Sequence, residues 1–261
     1  ISQHYQPRYA GDQLPEGPVA TALAIADKLE TLAGMFGIGQ MPTGDKDPFA
    51  LRRHALGVLR MLIEKNLTVK LDELIAIAFE VETKVPGVED ASEALTNFFF
   101  DRLRVMMRDE GYTAQEVDAV LAKRDTNLAQ TPKKLAAVRK FMELPESTSL
   151  AAANKRIGNI LKKSADVAVG DVDAALLVED AEKKLFDVLG DHEPIAKLFF
   201  EKGEYEGMLA SLTPLKAPVD AFFADVMVNA EDEKLRLNRL ALLTRLYKLM
   251  NRVAELSRLA L

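Results

Sequence analysis

The chain has 261 residues, 34 Lys+Arg against 40 Asp+Glu for a net charge of −6, and 48% apolar residues. That is an ordinary globular balance, long enough for one large core or two modest ones, so disorder is not the default reading. Cysteine is absent, which excludes disulfides, thiolate metal sites and cysteine nucleophiles and fits a cytoplasmic setting.

Helix formers dominate, Trp is absent, and Gly and Pro number only 14 and 11. Few segments alternate as strands do, so an all-α fold is expected. No apolar run approaches the ~20 residues that span a bilayer, and the start does not read as a signal peptide. The first residue is Ile1 rather than Met, so the chain is expected to be a piece of a longer protein.

Residues 1–17 read as loop, and Pro18 suits the first turn of a helix carrying Val19, Leu23, Ala26, Leu29 and Ala33 at helical spacing. Asp47-Pro48 predicts an N-cap and first-turn proline for a second helix, with Phe49, Leu51, Ala55, Val58, Leu59, Leu62 and Ile63 on its apolar face. A third helix is predicted over about 70–82. The break at 86–90 is taken as the domain boundary, dividing the chain into 1–85 and 86–261. Beyond it, Thr113 and Glu116 predict a capping box, and Pro132, Pro145, Gly170, Gly190, Pro194, Pro214 and Pro218 are read as separators between helices.

Two helices stand out for their cations. Residues 150–164 hold Lys155, Arg156, Lys162 and Lys163 and no acid, and Lys155, Asn159, Lys162 and Lys163 share one helical face opposite Ala153, Ile157, Ile160 and Leu161. Phosphate contact with some reading of base edges needs such a face. On pattern alone an ordinary solvated exterior is the more economical reading. The last predicted helix, about 232–258, carries Lys234, Arg236, Arg239, Arg245, Lys248, Arg252 and Arg258 against a seam of Leu235, Leu242, Leu246, Leu249 and Val253. Acids at its start and bases toward its end also complement the helix dipole.

No phosphate-binding P-loop, G-x-G-x-x-G, H-E-x-x-H or G-x-S-x-G pattern occurs, and no ATP signature of a synthetase is present. His4, His54 and His192 are scattered without metal-ligand spacing. No active site, cofactor or metal is expected in this chain itself.

Two stretches go beyond composition. Residues 23–32 (LAIADKLETL), 37–40 (GIGQ) and 42–53 (PTGDKDPFALRR), with His4-Tyr5 and residues 7–12 (PRYAGD) upstream, resemble the β subunit of the bacterial tetrameric glycyl-tRNA synthetase. Residues 153–163 (ANKRIGNILKK) are similar to that subunit and to the DALR anticodon-binding helices of arginyl-tRNA synthetases. Residues 218–223 (PVDAFF), 226–228 (VMV), Glu231-Asp232 and 236–243 (RLNRLALL) complete the family's C-terminal pattern. Residues 85–150 match by helical layout rather than by motif.

The resemblance implies two packed helical units: the latter part of an HD-type helical domain over 1–85, and a DALR-type anticodon-binding bundle over 86–261. It implies a non-catalytic, tRNA-binding part of a glycine–tRNA ligase that uses ATP. The partners implied are glycine tRNA and an α subunit carrying the adenylate chemistry, in an α2β2 tetramer, with neither DNA nor membrane. Under it, Lys155, Arg156, Lys162 and Lys163 are expected to hold phosphates, Asn159 to reach a splayed anticodon base, and Arg236 and Arg239 to add RNA contacts. Ala26-Asp27-Lys28-Leu29 matches the context of the HD aspartate, but no His-Asp pair accompanies it. Asp27 is therefore read as a structural remnant paired with Arg52 or Arg53. Two competing readings are a helical scaffold binding only protein, motivated by the −6 charge and the apolar seams, and a degenerate HD-type phosphohydrolase.

Overall fold

The computed structural model describes residues 2–164 and 170–260. Its described elements are helices, with one isolated bridge between Thr43 and Lys46, so the all-α expectation holds. The chain divides into two compact units, Ile1–Thr113 with Arg124–Pro132, and Ala114–Lys123 with Lys133–Leu261. The break at 86–90 lies inside the first unit.

The first unit is built on α1 (Gly17–Gly37), α2 (Leu51–Glu64), α3 (Leu71–Glu82) and α4 (Ser92–Asp109). α1 packs on α2 and α3, and both of these pack on α4. Leu29, Leu32, Phe36, Leu51, Val58, Leu62, Ile75, Leu95, Phe99 and Leu103 form the core. Of the predicted α1 stripe, Leu29 and Ala33 are buried, but its N-terminal part is turned outward. Val19 and Leu23 are 81% and 50% exposed, whereas Ala24, Lys28, Leu32 and Phe36 face inward. Both stripes keep helical spacing, and the partners of α1 choose between them.

Asp47 does the predicted capping from outside the helix. Its carboxylate accepts from Leu51 N at 2.8 Å and Arg52 N at 3.0 Å, while Ala50, at a left-handed φ of 56°, turns the chain into α2. The 86–90 segment is tied back by Glu89 N donating to Gly37 O at 2.9 Å.

The second unit holds α5 (Ala114–Leu121), most of α6 (Thr131–Met142), α7 (Ser147–Lys163), α8 (Asp180–Glu201), α9 (Tyr205–Ala210), α10 (Lys216–Asp225) and α11 (Glu233–Met250). α7 packs on α11 and on a short 3-10 turn, Leu256–Leu259, and α8 packs on α9 and α10. Gly190 and Pro194 lie inside α8 instead of separating helices. The carbonyl that Pro194 crowds belongs to Gly190, four residues back, and a glycine there gives the backbone latitude to yield. Glu179 and Glu182 form the capping box that starts α8, with Glu179 N donating to Glu182 Oε2 at 2.8 Å. The predicted helix over 232–258 stops at Met250. Asn251 turns the chain there by donating Nδ2–H to Tyr247 O at 2.8 Å and accepting Leu256 N–H on Oδ1 at 2.9 Å.

Gly37 has no room for a side chain. A Cβ there would collide with Val88 Cγ1 and stand 2.9 Å from Glu89 O. Gly37→Ala is therefore expected to destabilise the protein by about 1–3 kcal/mol, read as a lower denaturant midpoint. An unchanged midpoint would refute this tie between α1 and the 86–90 segment.

Candidate nucleic-acid interface

α7 starts where Ser147 Oγ donates to Leu144 O at 2.7 Å, and it runs to Lys163. Its inner side buries Leu150, Ala151, Asn154 and Ile157. Gly158 continues that side: a Cβ on it would lie 3.2 Å from Tyr247 Cε2, so α11's tyrosine seats directly against the α7 backbone. Burial is the main cause that raises the Tyr247 hydroxyl's pKa above its ordinary value, with Glu255 adding to it.

With the inner side fixed, Lys155, Arg156, Asn159, Lys162 and Lys163 are all exposed. None of them has a carboxylate partner among the described residues. Lys162 and Lys163 occupy the last turn, where a cation also complements the helix dipole. The two asparagines of α7 take opposite sides: Asn154 is fully buried, and Asn159 faces out with the lysines.

Arg156 is held by an aromatic ring. Its guanidinium carbon sits 4.0 Å from the centroid of Phe223 on α10, and the two border a cavity of about 410 Å³ with Ser149, Ala152, Ala153, Asp220 and Ala224. A cation over a ring face is attracted by its quadrupole, and stacking leaves the guanidinium edge free to donate. The neighbouring acid, Asp220, is engaged by Lys216 at 2.7 Å and by Ser149 Oγ at 3.2 Å. Phe223 was not among the residues expected from the sequence. The available signal was the doublet Phe222-Phe223: adjacent side chains on a helix point about 100° apart, and here Phe222 is fully buried while Phe223 is half-buried.

The expectation for α11 needs correction. Arg239 is not on the surface: its side chain is 6% exposed, with Nε 2.5 Å from the fully buried Glu182 and Nη1 donating to Met227 O at 2.7 Å. A guanidinium so enclosed serves the α8–α11 contact and has no reach to RNA. Arg236 is half-buried and stands 3.6 Å from Glu233. Arg245 is likewise engaged, 2.7 Å from Glu193. The bases of α11 do not form a second open strip.

Asp27 is half-buried on α1, and the expected ion pair with Arg52 or Arg53 is not formed. Arg52 donates to Gly44 O, and Arg53 borders a cavity with Asp27 without pairing to it. Among the described residues no three His, Asp or Glu side chains gather as a metal would require. No described helix is long and apolar enough to cross a membrane.

A family model described as glycyl-tRNA synthetase beta subunit matches residues 1–122, and one described as DALR anticodon binding domain matches residues 150–256. The glycine--tRNA ligase beta subunit of Leptothrix cholodnii is 58% identical over 260 residues, that of Dechloromonas aromatica 56%, and that of Delftia acidovorans 55%. Each alignment covers 100% of this chain and 36%, 36% and 37% of the relative, respectively, so the chain spans about a third of the length of these relatives.

The buried pair separates structural from surface cations. Removing the carboxylate in Glu182→Ala strands a buried guanidinium and is expected to cost about 3–5 kcal/mol in denaturant unfolding. Arg236→Gln, on a partly open side chain, is expected to stay within about 0.5 kcal/mol of the parent. Equal effects of the two changes would contradict the distinction.

Proposed function

The chain belongs to the family of glycyl-tRNA synthetase β subunits, and from that premise we propose that its second unit holds the anticodon arm of glycine tRNA while the complete ligase glycylates the other end. The observation that carries the reading is the outer face of α7, where four cations and an amide stand open to solvent with no carboxylate partner among the described residues. The match of residues 150–256 to the DALR anticodon-binding model supports it.

RNA affinity comes mainly from neutralised phosphates, and sequence reading of RNA concentrates on splayed, unstacked bases. Lys155, Lys162 and Lys163 supply point charges to phosphates. Arg156, flattened on Phe223, offers a planar fork of donors. Asn159, between Lys155 and Lys162 along the same face, carries both a donor and an acceptor and reaches a base edge. Arg236 sits at the margin, and Arg239 acts only through the packing of α11. The chemistry of adenylate formation, with its ATP, lies outside these residues and belongs to an α partner in an α2β2 assembly, in the cytoplasm.

The test is a titration of the protein with glycine tRNA and with a tRNA of different anticodon across a salt series. The expected result is preference for the glycine tRNA and a log–log salt slope of roughly −0.7 per phosphate contacted. Exchanging Lys162 and Lys163 together for Glu is expected to lower affinity at least tenfold and flatten the slope by about 1.4, two contacts at ~0.7 each. Both lysines are exposed, so the double variant should stay folded, its stability lowered only by the about 1–2 kcal/mol that two anions at a helix C-terminus cost. Undiminished tRNA binding in that variant would remove the site from α7.

A further inference from the structure

In the first unit, Lys28 of α1 is 3% exposed, and it has no ion-pair partner among the described residues. Its one hydrogen bond is long, 3.4 Å from Nζ to Tyr5 O. An ammonium carries three donors, so two go unused. Buried charges are ordinarily paired or fully hydrogen-bonded, because desolvation without compensation is costly. The position is nevertheless built with care. Gly57 of α2 leaves the notch in which the lysine stem lies, since a Cβ there would stand 2.9 Å from Lys28 Cε and 3.1 Å from Cδ. A side chain at Gly57 would displace the ammonium.

The ammonium borders a cavity of about 320 Å³ lined by Tyr5, Pro7, Arg8, Asp27, Lys28, Arg53 and His54. His54 brings a second unsatisfied polar atom: its Nδ1 is buried without a hydrogen-bond partner. Burial first, then the nearby Lys28, lowers the pKa of that imidazole, so at neutral pH it is an uncharged ring with a proton to donate from one nitrogen. Arg8 is committed to Asp12, at 2.9 Å and 3.2 Å. Among the lining residues that leaves Lys28 and Arg53 against the carboxylate of Asp27, a surplus of one positive charge; Asp47, which His54 also senses, is engaged as the cap of α2 by Leu51 N and Arg52 N. Burial also lowers the Lys28 pKa, against an opposing pull from Asp27, as expected of an ammonium short of polar partners.

We propose that this cavity is a binding site for a phosphoryl anion, free or ester-linked, with Lys28 as its buried charge, Arg53 at the open side and His54 as a neutral donor. The surplus of cation over acid argues for an anion instead of a metal ion. A tetrahedral oxyanion accepts from several donors at once, which one backbone carbonyl on one side of the ammonium cannot replace. The site belongs to the first unit and does not depend on the role given to α7.

The test uses the full 261-residue chain and inorganic phosphate at constant ionic strength, with chloride as the reference anion. Phosphate is expected to raise the thermal midpoint of the parent saturably, as a ligand that binds only the folded state does. Lys28→Met keeps a stem of similar length for the Gly57 notch and is expected to lose at least tenfold in phosphate affinity, while in chloride it is no less stable than the parent. Should Lys28→Met fail to fold, the exposed Arg53→Gln and the substitution His54→Phe take its place, each expected to weaken phosphate severalfold. An equal phosphate response in parent and variants, or no saturable response in the parent, would overturn the proposal. Adding tRNA separates the sources. Displacement of bound phosphate by tRNA identifies an RNA phosphate as the ligand, and phosphate binding that tRNA leaves unchanged identifies a small phosphate ester; either outcome upholds the site.

Discussion

The rotational setting of α7 is the constraint on which the proposed interface depends. A helix with cations on one side is an ordinary surface element until something fixes which side faces out. Here Leu150, Ala151, Asn154 and Ile157 are buried, and Gly158 lets the Tyr247 ring press on the backbone. Close packing of this kind transmits small shifts into neighbouring side chains instead of absorbing them. The backbone positions from which Lys155, Asn159, Lys162 and Lys163 project are therefore set by the core beneath them. That setting matters for RNA, because a base-reading amide is useful only when the phosphate-holding groups around it set its register.

The sequence made the helical class, α3 and the two-sided character of α7 readable, because each rests on local periodicity. It did not distinguish α7 from α11, since both carry runs of Lys and Arg over an apolar seam. What separates them comes from far along the chain. Glu182 is 57 residues from Arg239, and Glu193 is 52 residues from Arg245, and these acids draw the α11 arginines inward. No acid among the described residues does the same for α7. A similar non-local cause turned the N-terminal part of the α1 stripe, where Val19 and Leu23 have the spacing of a buried face but α2 and α3 pack against its neighbour. Helix ends were misread for the opposite reason, that side chains override punctuation: Asp47 caps from outside α2, Asn251 ends α11 without a glycine or proline, and Pro194 is absorbed within α8.

Net charge was a poor guide for the same reason. A total of −6 argues against a nucleic-acid coat, but a total says nothing about arrangement. Acids that pair with lysines or arginines on their own helix, as Asp220 does with Lys216 and Glu64 with Arg60, contribute to the sum and cancel locally. With a screening length of about 8 Å at physiological salt, a polyanion approaching α7 responds to the nearest charges and little to the remote remainder.

Arg239 and Lys28, both buried, show how differently a fold can treat a desolvated charge. Arg239 is enclosed by a carboxylate on Nε and a backbone carbonyl on Nη1, geometry that a planar fork meets well. Its protein partners already compensate its burial, so the pair reads as architecture. Lys28 is a compact, strongly hydrated charge, and its burial is compensated by a single carbonyl at 3.4 Å. If packing alone were required at that position, an apolar side chain over Gly57 would fill the notch without any desolvation cost. The proposed phosphoryl anion would complete its coordination, which is what a lysine offers at that position and an apolar side chain does not.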